Sequence, residues 1–393
     1  MTIASSEKPQ PRLRFDRAEV AGALGDLGTF IPLLVGMVHQ CGLQIGPALL
    51  AAGVMNVFTG LAFRIPMAVQ PMKAIAAVAI AEGLNESQIL AAGIATGVVV
   101  LLLGLTGLID TLNRIIPRSV VRGLQLALGL KLLAGGFTMI AKTGVWIGYD
   151  SIATGVACAI VVLLLYQSKR VPAALAVFAI GVVVLLAADP TLLSNTRFGF
   201  AWRWPDLGNS QDWLHGIRRA ALPQLPLTTL NSVIAVCALS SDLFPKRSAA
   251  PRRVAISVGL MNILACPFGA MPMCHGAGGL AAQYRFGART GGSVVILGTV
   301  KIVLALALGS SLLVWLDAYP ESVLGVLLLF SGLELTLVCR DQRRRRDFLI
   351  MLMTAGACIA QNMAVGFVIG ALLAAAVAIG VFRIGSENKV DDK

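Results

Sequence analysis

Charged side chains are scarce in this sequence: Asp, Glu, Lys and Arg make up 13% of its 393 residues, whereas hydrophobic residues make up 57%. A soluble domain could not enclose so much apolar surface, so the composition excludes a water-soluble globular protein. The net charge of +12 is also found in nucleic-acid-binding proteins. Here, however, the basic residues lie in short clusters between hydrophobic segments, so we expect a lipid bilayer and not a nucleic acid as the partner.

The motifs of common enzymes are also missing. The sequence has no H-E-x-x-H zinc motif, no nucleophile elbow, no P-loop and no cluster of acidic residues. Its seven cysteines show no CxxC spacing and lie in or beside apolar segments, so we expect buried free thiols and no metal site. These absences predict a protein that is not an enzyme and that needs no cofactor.

Long apolar segments are abundant, and a segment of about 20 apolar residues crosses the roughly 30 Å of hydrocarbon in a bilayer. Fourteen such segments, two of them half helices, are predicted at 19–39, 44–63, 67–82, 88–109, 118–135, 145–166, 171–188, 222–242, 253–270, 274–287, 292–316, 321–338, 347–360 and 363–383. They define an N-terminal tail (1–18), a first seven-helix repeat (19–188), a linker (189–221), a second seven-helix repeat (222–383) and a C-terminal tail (384–393). The predicted fold class is therefore an all-α polytopic membrane protein.

The basic residues orient the chain. With the N-terminus in the cytoplasm, most of them fall in cytoplasmic connections, including Arg252, Arg253 and the four arginines at 343–346. Few fall on the other side, where the linker carries Arg218 and Arg219. Because positive residues favour the cytoplasmic side, both termini are expected in the cytoplasm, with the protein in the inner (cytoplasmic) membrane. An odd number of helices in each half makes the two repeats inverted.

Two stretches, 65–81 and 271–283, read as copies of one feature, in which a proline-containing extended segment leads into a short apolar helix. A shift of 206 positions aligns Met55-Asn56 with Met261-Asn262, and Pro66-Met67 with Pro272-Met273. Paired broken helices at corresponding positions of two halves are the sequence signature of a transporter binding site.

Each half helix is expected to begin near the middle of the membrane and to direct its N-terminus at one shared point. Gln70 precedes Pro71, which is suited to the first helical position, so the chain is extended up to that residue. Gly276, Gly278 and Gly279 lack side chains at the second break, which lets an anion approach the backbone. Free N–H groups and the positive dipole ends of two helices together predict an anion site.

Two charged residues lie near this point. Lys73 follows Met72 at the start of the first half helix, and Asp26 lies within the first span. Two helix termini supply about one positive charge, and Lys73 adds a second if it is near, which favours a ligand of charge close to minus two. An acid in a membrane span is costly, so Asp26 is expected either to form a structural ion pair with Lys73 or to carry a coupling proton.

Polar side chains at the start of the eighth span complete the candidate site. The segment 223–232 supplies Thr228, Thr229, Asn231 and Ser232, besides a glutamine. Their hydroxyl and amide groups can hydrogen-bond either an oxyanion or a neighbouring helix.

Three further ionisable side chains lie in the apolar segments. His275, next to the glycines of the second break, can donate a hydrogen bond to an anion or be satisfied by a backbone carbonyl. Lys131 and Lys301 lie within predicted spans, and the sequence assigns no role to them.

Four segments resemble the molybdate transporters related to the sulfate permeases, namely GDLGTFIP at 25–32, PMAVQPMKAIAAVA at 66–79, PQLPLTTLNS at 223–232 and FGAMPMCHGAGGLAAQYRFGART at 268–290. The resemblance covers nearly the whole chain. It implies the seven-plus-seven inverted repeat shared with sulfate permeases and uracil-type permeases, core and gate domains, and a homodimer. The STAS domain of the broader sulfate permeases is expected to be absent, as in the molybdate branch.

These features together predict a secondary transporter for a tetrahedral oxyanion, with molybdate uptake as the first hypothesis. Sulfate or tungstate transport on the same scaffold is the main alternative, because the three ions share charge and shape. A nucleobase permease and an anion channel rank lower. The residue types leave open whether transport is coupled to protons, to sodium or to no ion.

Overall fold

The computed structural model describes residues 13–109, 111, 117–168 and 171–381. The predicted tail at 384–393 and most of the predicted tail at 1–18 lie outside the described residues. The helices and strands are α1 (Arg17–Leu24), α2 (Leu27–Cys41), α3 (Ile45–Phe63), β1 (Val69–Pro71), α4 (Lys73–Glu82), α5 (Glu86–Thr106), α6 (Arg118–Lys142), α7 (Ile152–Leu165), α8 (Ala173–Ala188), α9 (Thr191–Ser194), α10 (Ser210–Leu243), α11 (Pro251–Ala265), β2 (Met273–His275), α12 (Ala277–Arg285), α13 (Gly292–Asp317), α14 (Glu321–Leu337), α15 (Arg345–Ala360) and α16 (Met363–Ala378).

The described part of the chain is an all-α membrane protein with several transmembrane helices. Six of its helices are long and apolar enough to cross a bilayer, or seven if α1 and α2, which meet at a 42° bend, form one span. The other predicted segments contain helices of 9 to 16 residues, which are shorter than a perpendicular span requires. The count of fourteen spans therefore stays a prediction.

The longest helix, α10, begins at Ser210 and not near residue 222, so the end of the predicted linker is helical. Asn209 starts it with a capping box, in which the Asn209 side chain accepts from the backbone of Asp212 and the Asp212 carboxylate accepts from the backbone N–H of Asn209. Two stretches of α10, Ile217–Ala221 and Thr228–Ala235, have π-helical bonding. Prolines disturb the regular ladder here because they lack the N–H group.

The long helices pair across the two halves of the chain. Helix α3 packs against α13, α5 against α11, and α6 against α14. Glycines permit the close approach, since a Cβ on Gly53 would lie 2.7 Å from the carbonyl oxygen of Gly298, and one on Gly325 would lie 2.7 Å from that of Gly136. Small residues at such contacts let helix backbones pack in lipid, where the hydrophobic effect does not drive association.

A buried carboxylate joins the start of the chain to α13. Glu19 is fully buried, and its carboxylate accepts hydrogen bonds from the backbone N–H groups of Arg289 (3.0 Å), Thr290 (2.9 Å) and Ser293 (3.1 Å). An acid at a helix N-terminus satisfies donors that have no partner within the helix. Glu19 therefore fixes α1 against the beginning of α13.

The two extended breaks meet as a small antiparallel sheet. Strand β1 pairs with β2 in the register Val69↔His275, Gln70↔Cys274 and Pro71↔Met273. The side chain of Asn262, on α11, accepts from the backbone N–H of Met273 at 2.8 Å and donates to its carbonyl oxygen at 2.6 Å. These bonds satisfy backbone groups that lipid cannot satisfy, and the sheet places α4 and α12 on either side of one point.

Neighbouring glycines on α6 test the packing of α6 on α14. Gly136→Ala should lower the free energy of unfolding by roughly 1 to 3 kcal/mol, because its Cβ would overlap the carbonyl oxygen of Gly325. Gly135→Ala should be neutral or stabilising, since a Cβ there meets nothing within 4 Å and alanine favours helix. Thermal unfolding of both variants in detergent measures the difference, and equal stabilities would contradict this description of the contact.

Candidate oxyanion site

The site lies where the N-termini of α4 and α12 come together. The backbone N–H of Met72 donates to the carbonyl oxygen of Pro272 at 2.8 Å, which joins the two breaks immediately before the helices begin. Lys73 is the first residue of α4, and its Nζ lies 3.8 Å from the position that a Cβ on Gly278 of α12 would take. The two half-helix termini therefore meet, as the sequence predicts.

A small cavity of about 10 Å³ lies at this meeting point, with room for about one water molecule. Its lining comes from α4, α6, α10, α14 and the two breaks, and six of the ten lining residues have polar or charged side chains. The lining residues are Gln70, Lys73, Gln125, Gln224, Leu227, Asn231, Ser232, Cys274, Gly276 and Leu335. Five of the residues predicted for the substrate site are among them: Gln70, Lys73, Asn231, Ser232 and Gly276.

Three predicted residues lie behind the lining. Met72 is fully buried and contributes its backbone to the junction described above. Thr229 donates to the carbonyl oxygen of Pro226 at 3.0 Å, and Thr228 accepts a hydrogen bond from Gln224 at 2.8 Å. Both hydroxyl groups thus have protein partners within α10. This corresponds to the second alternative of the sequence analysis, in which they bond protein and not an oxyanion.

His275 is surrounded by protein groups. Its ring is fully buried, with Nδ1 3.0 Å from the carbonyl oxygen of Ala68 and Nε2 2.9 Å from Oγ of Ser257. The edge of the ring packs against Phe63, with ring centroids 5.5 Å apart. Both ring nitrogens thus have protein partners. This geometry agrees with the alternative in which a backbone carbonyl satisfies the ring, and not with a ring that donates to an anion.

The three glycines of the second break serve different purposes. A Cβ on Gly276 would overlap Oε1 of Gln70, and one on Gly279 would lie 2.7 Å from Nε2 of Gln70 and 2.9 Å from Oδ1 of Asp26. These two glycines therefore make room for protein side chains. Gly278 is exposed, and a Cβ there would meet only the end of Lys73, so it is the position of the three that leaves the backbone open to a ligand.

Asp26 lies at the bend between α1 and α2 and is fully buried. Its Oδ1 accepts a hydrogen bond from Nε2 of Gln70 at 2.6 Å. The ion pairs of the described residues do not include the predicted structural pair between Asp26 and Lys73. The uncharged amide of Gln70, on β1, binds the carboxylate instead. This carboxylate thus contacts a residue that lines the cavity.

Lys301 and Lys131, to which the sequence assigns no role, both have protein partners in the structure. Lys301, on α13, is 2% exposed; its Nζ donates to Oδ1 of Asn56 at 3.0 Å and lies 3.3 Å from the centroid of the Phe30 ring. Phe30 lies one helical turn after Asp26, so α13 brings Lys301 towards the bend that carries this acid. Lys131 forms an ion pair with Glu82 at 2.8 Å, which holds the far end of α4 against α6.

Two glutamines of the lining have no place among the predicted substrate contacts. Gln224 belongs to the polar segment at 223–232, and the sequence does not show which of its amides and hydroxyls face the cavity. Gln125 lies alone in the apolar helix α6, and its Oε1 accepts from Nη1 of Arg122 at 2.8 Å. A single amide within a predicted span is the signal that could have identified Gln125.

Comparison with known proteins supplies the identity. A family model described as "Molybdate transporter of MFS superfamily" matches residues 18–132 and 216–335. Molybdate transporters 1 and 2 of Arabidopsis thaliana are 40% and 41% identical to the protein over 91% of this chain and 87% and 86% of theirs. Molybdate transporter 1 of Chlamydomonas reinhardtii is 35% identical over 92% and 91%.

Solved structures show the fold. The transmembrane domain of the cyanobacterial bicarbonate transporter BicA superposes with a TM-score of 0.66 at 15% identity, covering 92% of this chain and 98% of that one. The structure of SLC26A9 gives a TM-score of 0.68 at 13% identity, covering 94% and 66%. The chain is thus a multi-pass membrane protein with the fold of these transporters and is not an enzyme, and the family predicted from four segments is confirmed: it belongs to the molybdate transporters.

Proposed function

We propose that this protein transports molybdate as a secondary transporter that works by alternating access. The observation that carries the proposal is the meeting of two half-helix N-termini, one lysine and several amide and hydroxyl groups at a nearly closed cavity. Membership of the molybdate transporter family supports the choice of substrate.

The chemistry of the lining fits a tetrahedral dianion. Each helix terminus contributes about half a positive charge, and Lys73 contributes a full one, so a charge of minus two is nearly neutralised. Asn231 supplies an amide that can donate to the anion, and Ser232 supplies a hydroxyl that now donates to Sγ of Cys274 at 3.2 Å and would turn to the anion. Gln70 directs its nitrogen at Asp26, so its contribution is to hold that acid away from the cavity. The buried acid Asp26 is covered by Gln70 and does not line the cavity. The remaining predicted contacts, Met72, Thr228, Thr229, His275 and Gly279, would support this lining from behind.

The size of the cavity corresponds to a state that is closed to the substrate. A volume near 10 Å³ holds about one water molecule and cannot hold a tetrahedral oxyanion. The helices around it must therefore separate to admit substrate, and closure around a fixed site is the basis of alternating access.

The arrangement of the helices supports the predicted inverted repeats at 19–188 and 222–383, joined by an external linker at 189–221. The 206-residue shift carries the start of α5 onto the start of α13, and carries 45–63 onto 251–269, which contains α11. Helix α3 packs against α13, which is the counterpart of α5 under this shift. Helix α5 packs against α11, which is the counterpart of α3. Exchange of partners in this way is the pattern of two intertwined repeats of seven segments.

Contacts of basic residues support an orientation with both termini in the cytoplasm. At one end of α5, Glu86 pairs with Arg203 of the linker at 2.8 Å. At the other end, Arg252 donates to the carbonyl oxygen of Gly104 at 3.2 Å, and Arg253 donates to that of Ala62 at the end of α3. The arginine-rich end corresponds to the cytoplasmic side. Location in the inner (cytoplasmic) membrane and a homodimeric assembly stay predictions from the sequence.

Uptake into liposomes tests the proposed function. Purified protein should carry labelled molybdate into vesicles with saturable kinetics, and unlabelled molybdate should compete. Sulfate and tungstate as competitors decide between molybdate and the alternative substrates. Flux that does not saturate would indicate a channel, and flux of sulfate or of a nucleobase without molybdate would contradict the choice of substrate.

Gly278 tests the approach of the anion to α12. Gly278→Val should leave the fold intact, because a Cβ there would contact only the flexible end of Lys73, at 3.8 Å. It should nevertheless weaken molybdate binding by roughly tenfold or more, because the side chain covers backbone donors of the first turn. The control is Ala375→Val, at an exposed position of α16. Equal dissociation constants for the two variants, measured by titration, would exclude contact between the anion and this turn.

Asp26 tests coupling to protons. Its Oδ2 has no hydrogen-bond partner among the described residues, which leaves a position for a proton, while Oδ1 is bound by Gln70 of the lining. Asp26→Asn should therefore still exchange labelled molybdate across the vesicle membrane but lose accumulation driven by an inward proton gradient. Accumulation at the wild-type level in this variant would rule out Asp26 as the proton carrier.

A further inference from the structure

The first turn of α4 is already occupied by a protein side chain. Oε1 of Gln224 accepts hydrogen bonds from the backbone N–H groups of Ala74 at 2.9 Å and Ile75 at 3.2 Å. Both partners are donors, so the carboxamide must present its oxygen to them, and its nitrogen donates to Thr228 at 2.8 Å. Met72, the residue that precedes α4, provides no side-chain cap. Gln224 is thus the cap of α4, supplied from another helix.

The other half helix has no such cap. Helix α12 follows Gly276, which has no side chain, and its first turn receives no capping hydrogen bond from that position. The two termini at the cavity therefore differ: a carboxamide oxygen covers donors of α4, whereas no side chain of the described residues caps the first turn of α12. A carboxamide oxygen accepts from a helix terminus in the same way as one oxygen of an oxyanion does.

We propose that Gln224 is an internal competitor of the substrate. Its oxygen occupies the position on α4 that an oxygen of the bound anion takes, and it must withdraw before the anion can bind both termini. This inference rests on the proposed function. The small volume of the cavity, which Gln224 itself lines, supports it, because the side chain fills space that the anion requires.

The surroundings of Gln224 permit such a movement. It lies between Pro223 and Pro226 and just before the π-helical stretch Thr228–Ala235. Prolines and π-helical turns interrupt the regular bonding of a helix, and such turns are frequent at functional sites. The competitor thus belongs to the irregular part of α10, where a local change does not break a continuous hydrogen-bond ladder.

Competition of this kind lowers the apparent affinity of the wild-type protein. When a competent state is only partly populated, the apparent dissociation constant rises by the inverse of that fraction. Removing the competitor should therefore tighten binding, which is the opposite of what removal of a direct substrate contact does.

Titration of purified variants with molybdate tests the proposal. Gln224→Ala should lower the dissociation constant by roughly fivefold, the factor that corresponds to one side-chain cap. Gln224→Met, which keeps the volume and removes the strong acceptor, should change binding in the same direction. Gln224→Glu keeps the acceptor and adds negative charge, so it should weaken binding by about tenfold or more.

Gln125→Ala is the matched control, because it removes another buried glutamine from the same lining without releasing amides of α4. It should not tighten binding. Weaker binding by both Gln224→Ala and Gln224→Met would overturn the proposal and identify Gln224 as a substrate contact. Equal tightening by Gln125→Ala and Gln224→Ala would also overturn it, because the cause would then be cavity volume. Wild-type protein that binds no molybdate would instead contradict the proposed function.

Discussion

Two helices of this protein begin in its interior, and the unpaired N–H groups at their first turns determine how the rest of the site is built. In a membrane such groups cannot be left to water, so protein or ligand must satisfy them. The extended residues before α4 and α12 pair with each other as β1 and β2, and Asn262 binds both backbone groups of Met273. Gln224 covers the first turn of α4. Within the described part of the chain no side chain caps the first turn of α12, so its N–H groups are the ones left for the proposed anion.

Close helix packing holds the two termini in place. Lipid gives little hydrophobic drive for helices to associate, so van der Waals contact between backbones must supply much of the stability. The glycine contacts of α3 with α13 and of α6 with α14 provide it, and α6 and α14 also line the cavity. Glu19 adds a third constraint by capping α13, and Glu82 fixes the far end of α4 through Lys131. These contacts fix the positions of the two half helices, and α10 is the wall of the cavity with π-helical backbone bonding.

The sequence predicted the membrane class, the two half helices and their meeting point, because proline, glycine and apolar length act locally and leave a direct pattern. It also predicted residues of the lining such as Gln70 and Ser232. It did not predict the partner of Asp26, the role of Lys301 or the presence of Gln125 in the lining, since these depend on which helices become neighbours. Asp26 and Lys301 are far apart in the sequence, and no local pattern shows that α13 brings the lysine towards the bend after α1. The ring of His275 is a similar case, because its two partners come from different elements.

The distribution of buried charge explains why Lys73 is available to a substrate. If Lys73 neutralised Asp26, the lining would carry only the partial charges of two helix termini, and a dianion would lose much of its hydration without compensation. The structure instead gives Asp26 a hydrogen bond from Gln70, and it places Lys301 of α13 against Phe30, one helical turn after Asp26. Lys301 is itself held by Asn56 and by the face of Phe30. Asp26 is thus bound from behind the site, and Lys73 lines the cavity, where the proposed dianion would need its charge.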